Sequence, residues 1–201
     1  MTIDFSRAQF LMGAPTRAQL SGDYGVEVAF AGRSNAGKSS CLNKLTGQHQ
    51  LARVSKTPGR TQMINLFALD PHRRLVDLPG YGYAEVSQEL RAQWHQALAE
   101  YLQNRQSLTG IVVLMDIRHP FTEPDQMLID FAEAANLQIH LVLTKADKLK
   151  FGARKTAFMK AQKDCAPHPN RSVQLFSTTE NIGVDELMRK LNEWLAKTVI
   201  E

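Results

Sequence analysis

The chain alternates between short unbroken apolar runs and longer stretches whose apolar residues recur every three or four positions. Runs at 26–31, 111–115, 138–143 and 172–176, rich in valine, isoleucine and leucine, read as strands buried on both faces. Four-residue spacing of Leu90, Trp94, Leu98 and Leu102 predicts a helix over 88–103. Further helices are expected after residue 39, where Cys41, Leu42 and Leu45 share a side, over 125–135, and over 153–163, which is basic. A last one covers 184–197, with Leu187, Leu191 and Leu195 on its buried face. Two more strands, 63–69 and 74–77, are linked only through Asp70-Pro71-His72, and so short a link makes them antiparallel neighbours.

Strands alternating with helices imply an α/β fold in three layers: a mostly parallel six-stranded sheet with one antiparallel edge strand and helices on both faces. Residues 1–22 carry scattered Phe5, Phe10, Leu11, Met12 and Leu20, broken by Gly13 and Pro15. They are expected to be an extension that packs on a core domain of residues 23–201. Ligands of such sheets bind beyond the carboxyl ends of the strands, so the chemistry is sought in the loops that follow them.

Composition narrows the picture only a little. An apolar fraction of 43% and a charged fraction of 22% are those of an ordinary globular domain. A net charge of +4 permits a polyanionic partner such as RNA without requiring one. Cys41 and Cys165 have no metal-ligand spacing and suit a reducing compartment. No run approaches the roughly 20 apolar residues of a membrane span, and the first residues lack a secretory pattern, so a cytoplasmic monomer with no membrane partner is expected. The histidines His49, His72, His95, His119, His140 and His168 share no spacing, lie on expected loops or strand ends, and form no triad with Ser and Asp.

Gly32, Arg33, Ser34, Asn35, Ala36, Gly37, Lys38 and Ser39 match the phosphate-binding pattern G-x-x-x-x-G-K-[ST] between a predicted strand and a predicted helix. The glycines let successive backbone N–H groups turn inward around phosphate oxygens, and the helix N-terminus adds its positive dipole end. Lys38 can reach the β- and γ-phosphates, and the Ser39 hydroxyl can ligate Mg²⁺. The strand at 74–77 ends in Asp77-Leu78-Pro79-Gly80. Asp77 is placed to anchor Mg²⁺ through water, and the Gly80 N–H to sense a γ-phosphate.

The strand at 138–143 runs into Thr144-Lys145-Ala146-Asp147. A carboxylate at Asp147 can accept from both a ring N–H and an exocyclic amine, a pair that guanine has and adenine lacks, while the Lys145 stem covers the base. After the last strand, Phe176-Ser177-Thr178 can offer a backbone N–H to the guanine carbonyl. A P-loop kinase or ATPase is the competing enzyme class, and Asp147 argues against it.

Residues 32–40, Thr57-Pro58-Gly59-Arg60-Thr61-Gln62, residues 77–84 and residues 144–148 together resemble the EngB (YihA/YsxC) family of Ras-like P-loop GTPases, bacterial proteins linked to large-subunit ribosome assembly and septation. The resemblance spans about residues 20–200. It implies GTP and GDP as ligands, Mg²⁺ held by Ser39, Thr61 and Asp77, and catalysis through Lys38, Asn35, Thr61 and Gly80. It makes Gly59, Arg60, Thr61, Gln62 and Met63 the ordered part of switch I, and residues 77–80 the start of switch II. Thr144 replaces the asparagine usual at its position among GTPases, as it does in this family, so a looser tether to the phosphate loop is expected.

An asparagine at position 35 resembles GTPases that bind K⁺ beside the phosphates; the alternative is that Asn35 only stabilises the loop. Tyr81 stands where Ras has a water-orienting glutamine, so slow intrinsic hydrolysis is expected. Tyr81 and Tyr83 either anchor a partner or pack beneath switch II. Arg33, Arg53 and Arg60 are candidate arginine fingers or plain loop charges. Arg53, Lys56, Arg60, Arg73 and Arg74, with Lys148, Lys150, Arg154, Lys155, Lys160 and Lys163, are candidates to face the RNA or protein of a large ribosomal subunit. A nucleotide-dependent switch for cell-division proteins, without ribosome binding, is the rival reading.

Overall fold

The computed structural model describes residues 2–20, 22–52, 63–82 and 88–196. Seven strands form one sheet: β1 (Gln9–Ala14), β2 (Val26–Gly32), β3 (Ile64–Ala68), β4 (Arg73–Asp77), β5 (Leu108–Asp116), β6 (Gln138–Thr144) and β7 (Arg171–Leu175), in the order β1-β3-β4-β2-β5-β6-β7. Strands β4, β2, β5, β6 and β7 are parallel, whereas β3 is antiparallel to both β1 and β4.

The α/β three-layer expectation therefore holds, with two corrections. The sheet has a seventh strand, from within the first 22 residues, and the single antiparallel strand is interior because β1 covers its far side. The strand β1 escaped sequence reading because the pairing register slips between Phe10 and Met12, which breaks the two-residue alternation, and because Phe10 and Leu11 stay exposed on an edge.

Five α-helices, α1 (Lys38–Thr46), α2 (Gln88–Asn104), α3 (Glu123–Ala134), α4 (Phe151–Cys165) and α5 (Val184–Leu195), cover the two faces. The two-residue period of the strands divides their side chains between two cores. Ala29, Ala31, Ile111, Val113 and Met115 face α2, α3 and α4, where Leu98, Leu102, Leu128, Ile129 and Ala161 pack. Val28, Phe30, Val112 and Leu114 face α1 and α5, meeting Cys41, Leu42, Leu45, Leu187 and Leu191. Trp94 on α2 is half-buried, and the side chain of Leu90 lies outside what the structure describes. Helix α5 comes close to the sheet at Gly110, where any Cβ would stand 2.7 Å from the Trp194 ring.

Beneath the sheet, at the amino ends of the parallel strands, Glu27 is fully buried. It accepts from Arg74 Nε at 2.8 Å, from Arg105 Nη2 at 2.7 Å and from the Tyr101 hydroxyl at 3.0 Å. At the opposite end the parallel register aligns the strand tips: Phe30 beside Asp77, Gly32 beside Leu114, and Asp116 beside Thr144. The candidate residues at these strand tips thus lie along one rim.

Candidate nucleotide-binding site

The rim is organised by the loop between β2 and α1. Gly32 ends the buried β2 strand, a turn closes through Ala36 N–H donating to Arg33 O at 2.9 Å, and Lys38 starts α1. Asn35 at φ 65° and Gly37 at φ 92° both adopt left-handed backbone, a conformation asparagine tolerates and glycine takes freely. These turns, set against the amino end of α1, form a concave run of N–H groups of the kind that binds anions. Ser39 lies in the first turn of α1 and is partly exposed.

Three neighbouring strand tips close on this loop. From β4, Asp77 makes an ion pair with Lys38 Nζ. Leu78 is buried and donates its N–H to Phe30 O at 2.9 Å, which leads the chain through Pro79 and Gly80, both partly exposed. From β6, the Thr144 hydroxyl donates to Ala36 O at 2.7 Å. The tether to the phosphate loop, expected to be loose, is a short buried bond. Lys145, itself at φ 57°, donates from Nζ to Asn35 O at 2.7 Å.

Lys145 Nζ also lies 3.1 Å from Asp116 Oδ2 at the tip of β5. Asp116 accepts from Arg118 Nη2 at 2.6 Å, and that bond leads the causes that hold its carboxyl well below the usual carboxylate range. Sequence reading missed Asp116. The signal was there, since it is an acidic residue ending a buried strand, as Asp77 is.

Asp147 accepts from the Ser177 hydroxyl at 2.7 Å and lies 3.0 Å from Lys148 Nζ. Ser177 and Lys148 in that order lower its pKa, so the side chain is a charged, acceptor-only group. The Ala146 N–H donates to Phe176 O and the Ser177 N–H to Ile182 O. Phe176 is buried, and Thr178 is partly exposed beside it. Because the Phe176 N–H donates to Leu143 O and the Ser177 N–H to Ile182 O, Thr178 is the member of the Phe176-Ser177-Thr178 triplet whose N–H is left over.

Tyr81, immediately after Gly80, is 3% exposed, so the reading of it as a surface anchor is corrected. Arg33 is no free finger either: Nη2 donates to His119 O at 2.8 Å, and Nε lies 3.4 Å from Asp125 Oδ2. Two histidines also differ from expectation, His95 lying within α2 and His140 in mid-β6, buried. Gly59, Arg60, Thr61 and Gln62, with Arg53, Lys56 and Tyr83, lie outside the described residues; Met63 is exposed just before β3.

Among the described residues no group of three or more His, Cys, Asp or Glu could hold a metal, and no helix is long and apolar enough to cross a membrane. The donors near the loop are instead the Ser39 hydroxyl and the Asp77 carboxylate. Oxygen donors beside an anion cradle fit Mg²⁺, which keeps most of its waters and takes few protein ligands.

Comparison with known proteins agrees with this arrangement. Residues 27–145 match the family model described as 50S ribosome-binding GTPase. The probable GTP-binding protein EngB of Idiomarina loihiensis is 55% identical, over 97% of this chain and 95% of its own length. That of Pseudoalteromonas atlantica is 55% identical over 94% and 93% of the two chains.

A crystal structure of a probable GTP-binding protein EngB superposes with a TM-score of 0.68 at 19% identity, covering 85% of this chain and 98% of that one. Era, solved in complex with MgGDPNP and a 16S ribosomal RNA fragment, gives a TM-score of 0.63 at 20% identity, covering 87% and 58%. At these identities the superpositions speak for the fold. The near full-length sequence relatives and the family model go further: the chain belongs to the EngB family of P-loop GTPases.

Proposed function

We propose that this chain is a GTP/GDP switch that hydrolyses GTP slowly on its own and engages the large ribosomal subunit during its assembly, with normal septation as a downstream need. The observation that carries the reading is the convergence of Lys38 and Asp77 at one end of the phosphate loop with Thr144 and Lys145 at the other. One loop is thereby shared between a phosphate end and a base end.

In this reading residues 32–39 cradle the phosphates and Lys38 neutralises charge between them. Asp147, Lys145 and the Thr178 N–H read guanine. Mg²⁺ would be held by Ser39, by Thr61, and by Asp77 through water, and when bound would supply charge neutralisation on the transferring phosphoryl group. The γ-phosphate is sensed by Thr61 and the Gly80 N–H, which couples its presence to the two switch segments. The residue after Gly80 turns its phenol away into a buried bond with Asp125. No side chain at that position orients a water, which is why the isolated turnover is slow and rises with a partner.

Competition of GTP, GDP and ATP against a fluorescent guanine nucleotide, with sedimentation of purified 50S particles in GDP and in a non-hydrolysable GTP analogue, tests the reading. GTP and GDP should displace the probe at concentrations far below ATP, and the chain should travel with 50S particles in one nucleotide state. Equal displacement by ATP overturns the nucleotide assignment, and absence from the 50S fraction in both states overturns the ribosomal one.

A further inference from the structure

Helix α4 follows directly on the segment that carries Lys145 and Asp147, and the charge of the helix together with its lead-in is out of proportion to its length. Residues 148–165 hold Lys148, Lys150, Arg154, Lys155, Lys160 and Lys163 against the single carboxylate Asp164, a net +5 in a chain whose total is +4. Everything else in the chain therefore sums to −1.

Two of these six cations have internal partners and four do not. Arg154 lies 3.5 Å from Glu180 and Lys148 3.0 Å from Asp147. Lys150, Lys155, Lys160 and Lys163 are exposed and have no carboxylate within ion-pair distance among the described residues. Of the other described lysines only Lys44 is in that position.

The same face carries apolar side chains that the fold does not use. Phe151 is 73% exposed and Met159 57%, while Ala161 and Cys165 turn inward and Phe158 packs against the core. Phe151, Lys155, Met159 and Lys163 follow at four-residue steps, so ring, cation, thioether and cation succeed one another along one slowly drifting stripe, about 6 Å per step. A helix that lies in a membrane surface needs a continuous apolar face. The apolar side of α4 is already committed to the core. Single apolar side chains spaced between free lysines fit instead a strand of phosphates with an accessible base for the ring to stack on.

We infer that the outer face of α4 is an RNA-docking surface, with Lys155, Lys160 and Lys163 on phosphates and Phe151 stacked on an unpaired base. The inference rests on the ribosomal reading above and names the surface by which rRNA is held, adjoining the base-binding segment.

The test uses the full chain and a fluorescent stem–loop RNA with an unpaired purine loop, titrated by anisotropy at stepped salt. Replacing the three lysines together (Lys155→Gln, Lys160→Gln, Lys163→Gln) should weaken binding about tenfold or more at low salt and reduce the log–log salt slope by roughly 2 to 3. Phe151→Ala should weaken binding about fivefold or more at every salt and leave the slope alone. Guanine-nucleotide affinity and thermal midpoint should stay at wild-type values in both variants, since neither touches the cleft.

Equal affinity and slope in wild type and variants overturns the inference, as does no RNA binding by the wild type. Binding to phosphatidylserine vesicles in place of RNA overturns it too. Sedimentation with 50S particles separates the two levels. Variants that sediment like wild type sink the α4 face alone, whereas a wild type that binds the stem–loop but never the particle sinks the ribosomal reading.

Discussion

The Tyr81 hydroxyl donates to Asp125 Oδ1 at 2.9 Å, and the second oxygen of Asp125 accepts from the N–H and hydroxyl of Thr122 at 2.9 and 2.7 Å. The segment that leaves Gly80 is thus fastened to the start of α3, with Arg33 of the phosphate loop 3.4 Å from the same carboxylate. Burial, then Asp125, pushes the Tyr81 phenol well above its ordinary pKa, so it remains a donor at any physiological pH.

Tyr81→Phe should leave a buried carboxylate short of one partner, at about 1–3 kcal/mol. In a chain of this size that is a fall of several degrees in thermal midpoint. If, as proposed, residues 77–80 begin a switch segment, Tyr81 acts on that segment and not on the nucleotide, so kcat for GTP should change while KM stays within about twofold. Thermal melts and steady-state kinetics check both, and an unchanged midpoint would remove the bond as a structural element.

Asn35 separates two explanations for its own presence. Its side chain is exposed and makes no hydrogen bond to the described residues, while its φ of 65° suits asparagine or glycine. Asn35→Gly keeps the backbone and deletes the amide. If the amide holds K⁺, wild-type hydrolysis should be several-fold faster in K⁺ than in Na⁺, and the variant should lose the difference. Equal wild-type rates in the two buffers dismiss K⁺.

Asp147→Asn exchanges an acceptor for a group that also donates, in a position fixed by Ser177. Affinity for GTP should fall by about two orders of magnitude or more, and xanthosine triphosphate, with a carbonyl where guanine has its amine, should bind better than GTP. Competition against a fluorescent guanine nucleotide reads the exchange.

How much of this was legible in the sequence depends on distance along the chain. The phosphate loop, Asp77 to Gly80, and Thr144 to Asp147 are local motifs, each at a strand end that apolar runs revealed. The links among Tyr81, Asp125 and Arg33 join residues 44 or more apart, and periodicity records which side a residue faces without naming its partner. Even so, the acidic residue three places after Thr122, with Pro124 between, is a helix-start pattern that singles out Asp125. Strand β1 was hidden for another reason: an edge strand with a bulge need not alternate.

His140 gives the fold a pH dependence. Burial lowers its pKa to about 4, while its ring nitrogens sit 2.7 Å from Ser172 Oγ and 2.8 Å from Gln174 Oε1. Between about 6.5 and about 4 the unfolded chain binds a proton there that the folded chain refuses, so stability falls as pH falls through that window. The full effect is on the order of 3 kcal/mol and vanishes above neutrality. Urea titrations at pH 7 and pH 5 should show the loss, and His140→Gln should flatten it relative to wild type.

Glu27→Ala would strand two buried arginines, at about 3–5 kcal/mol, and should lower the urea midpoint markedly. Since Glu27 lies at the far end of the strands, guanine-nucleotide affinity of the folded fraction should remain that of wild type. A lower affinity at saturating stability would show that the two ends of the sheet communicate.

The bonds from Thr144 and Lys145 to the carbonyls of Ala36 and Asn35 carry a last implication. In the proposed reading, a purine seated at one end and a triphosphate tail at the other would lean on the same two peptide groups. Letting go of either half would then disturb the seat of its counterpart, making discrimination among nucleosides and retention of the spent diphosphate one property viewed from opposite sides.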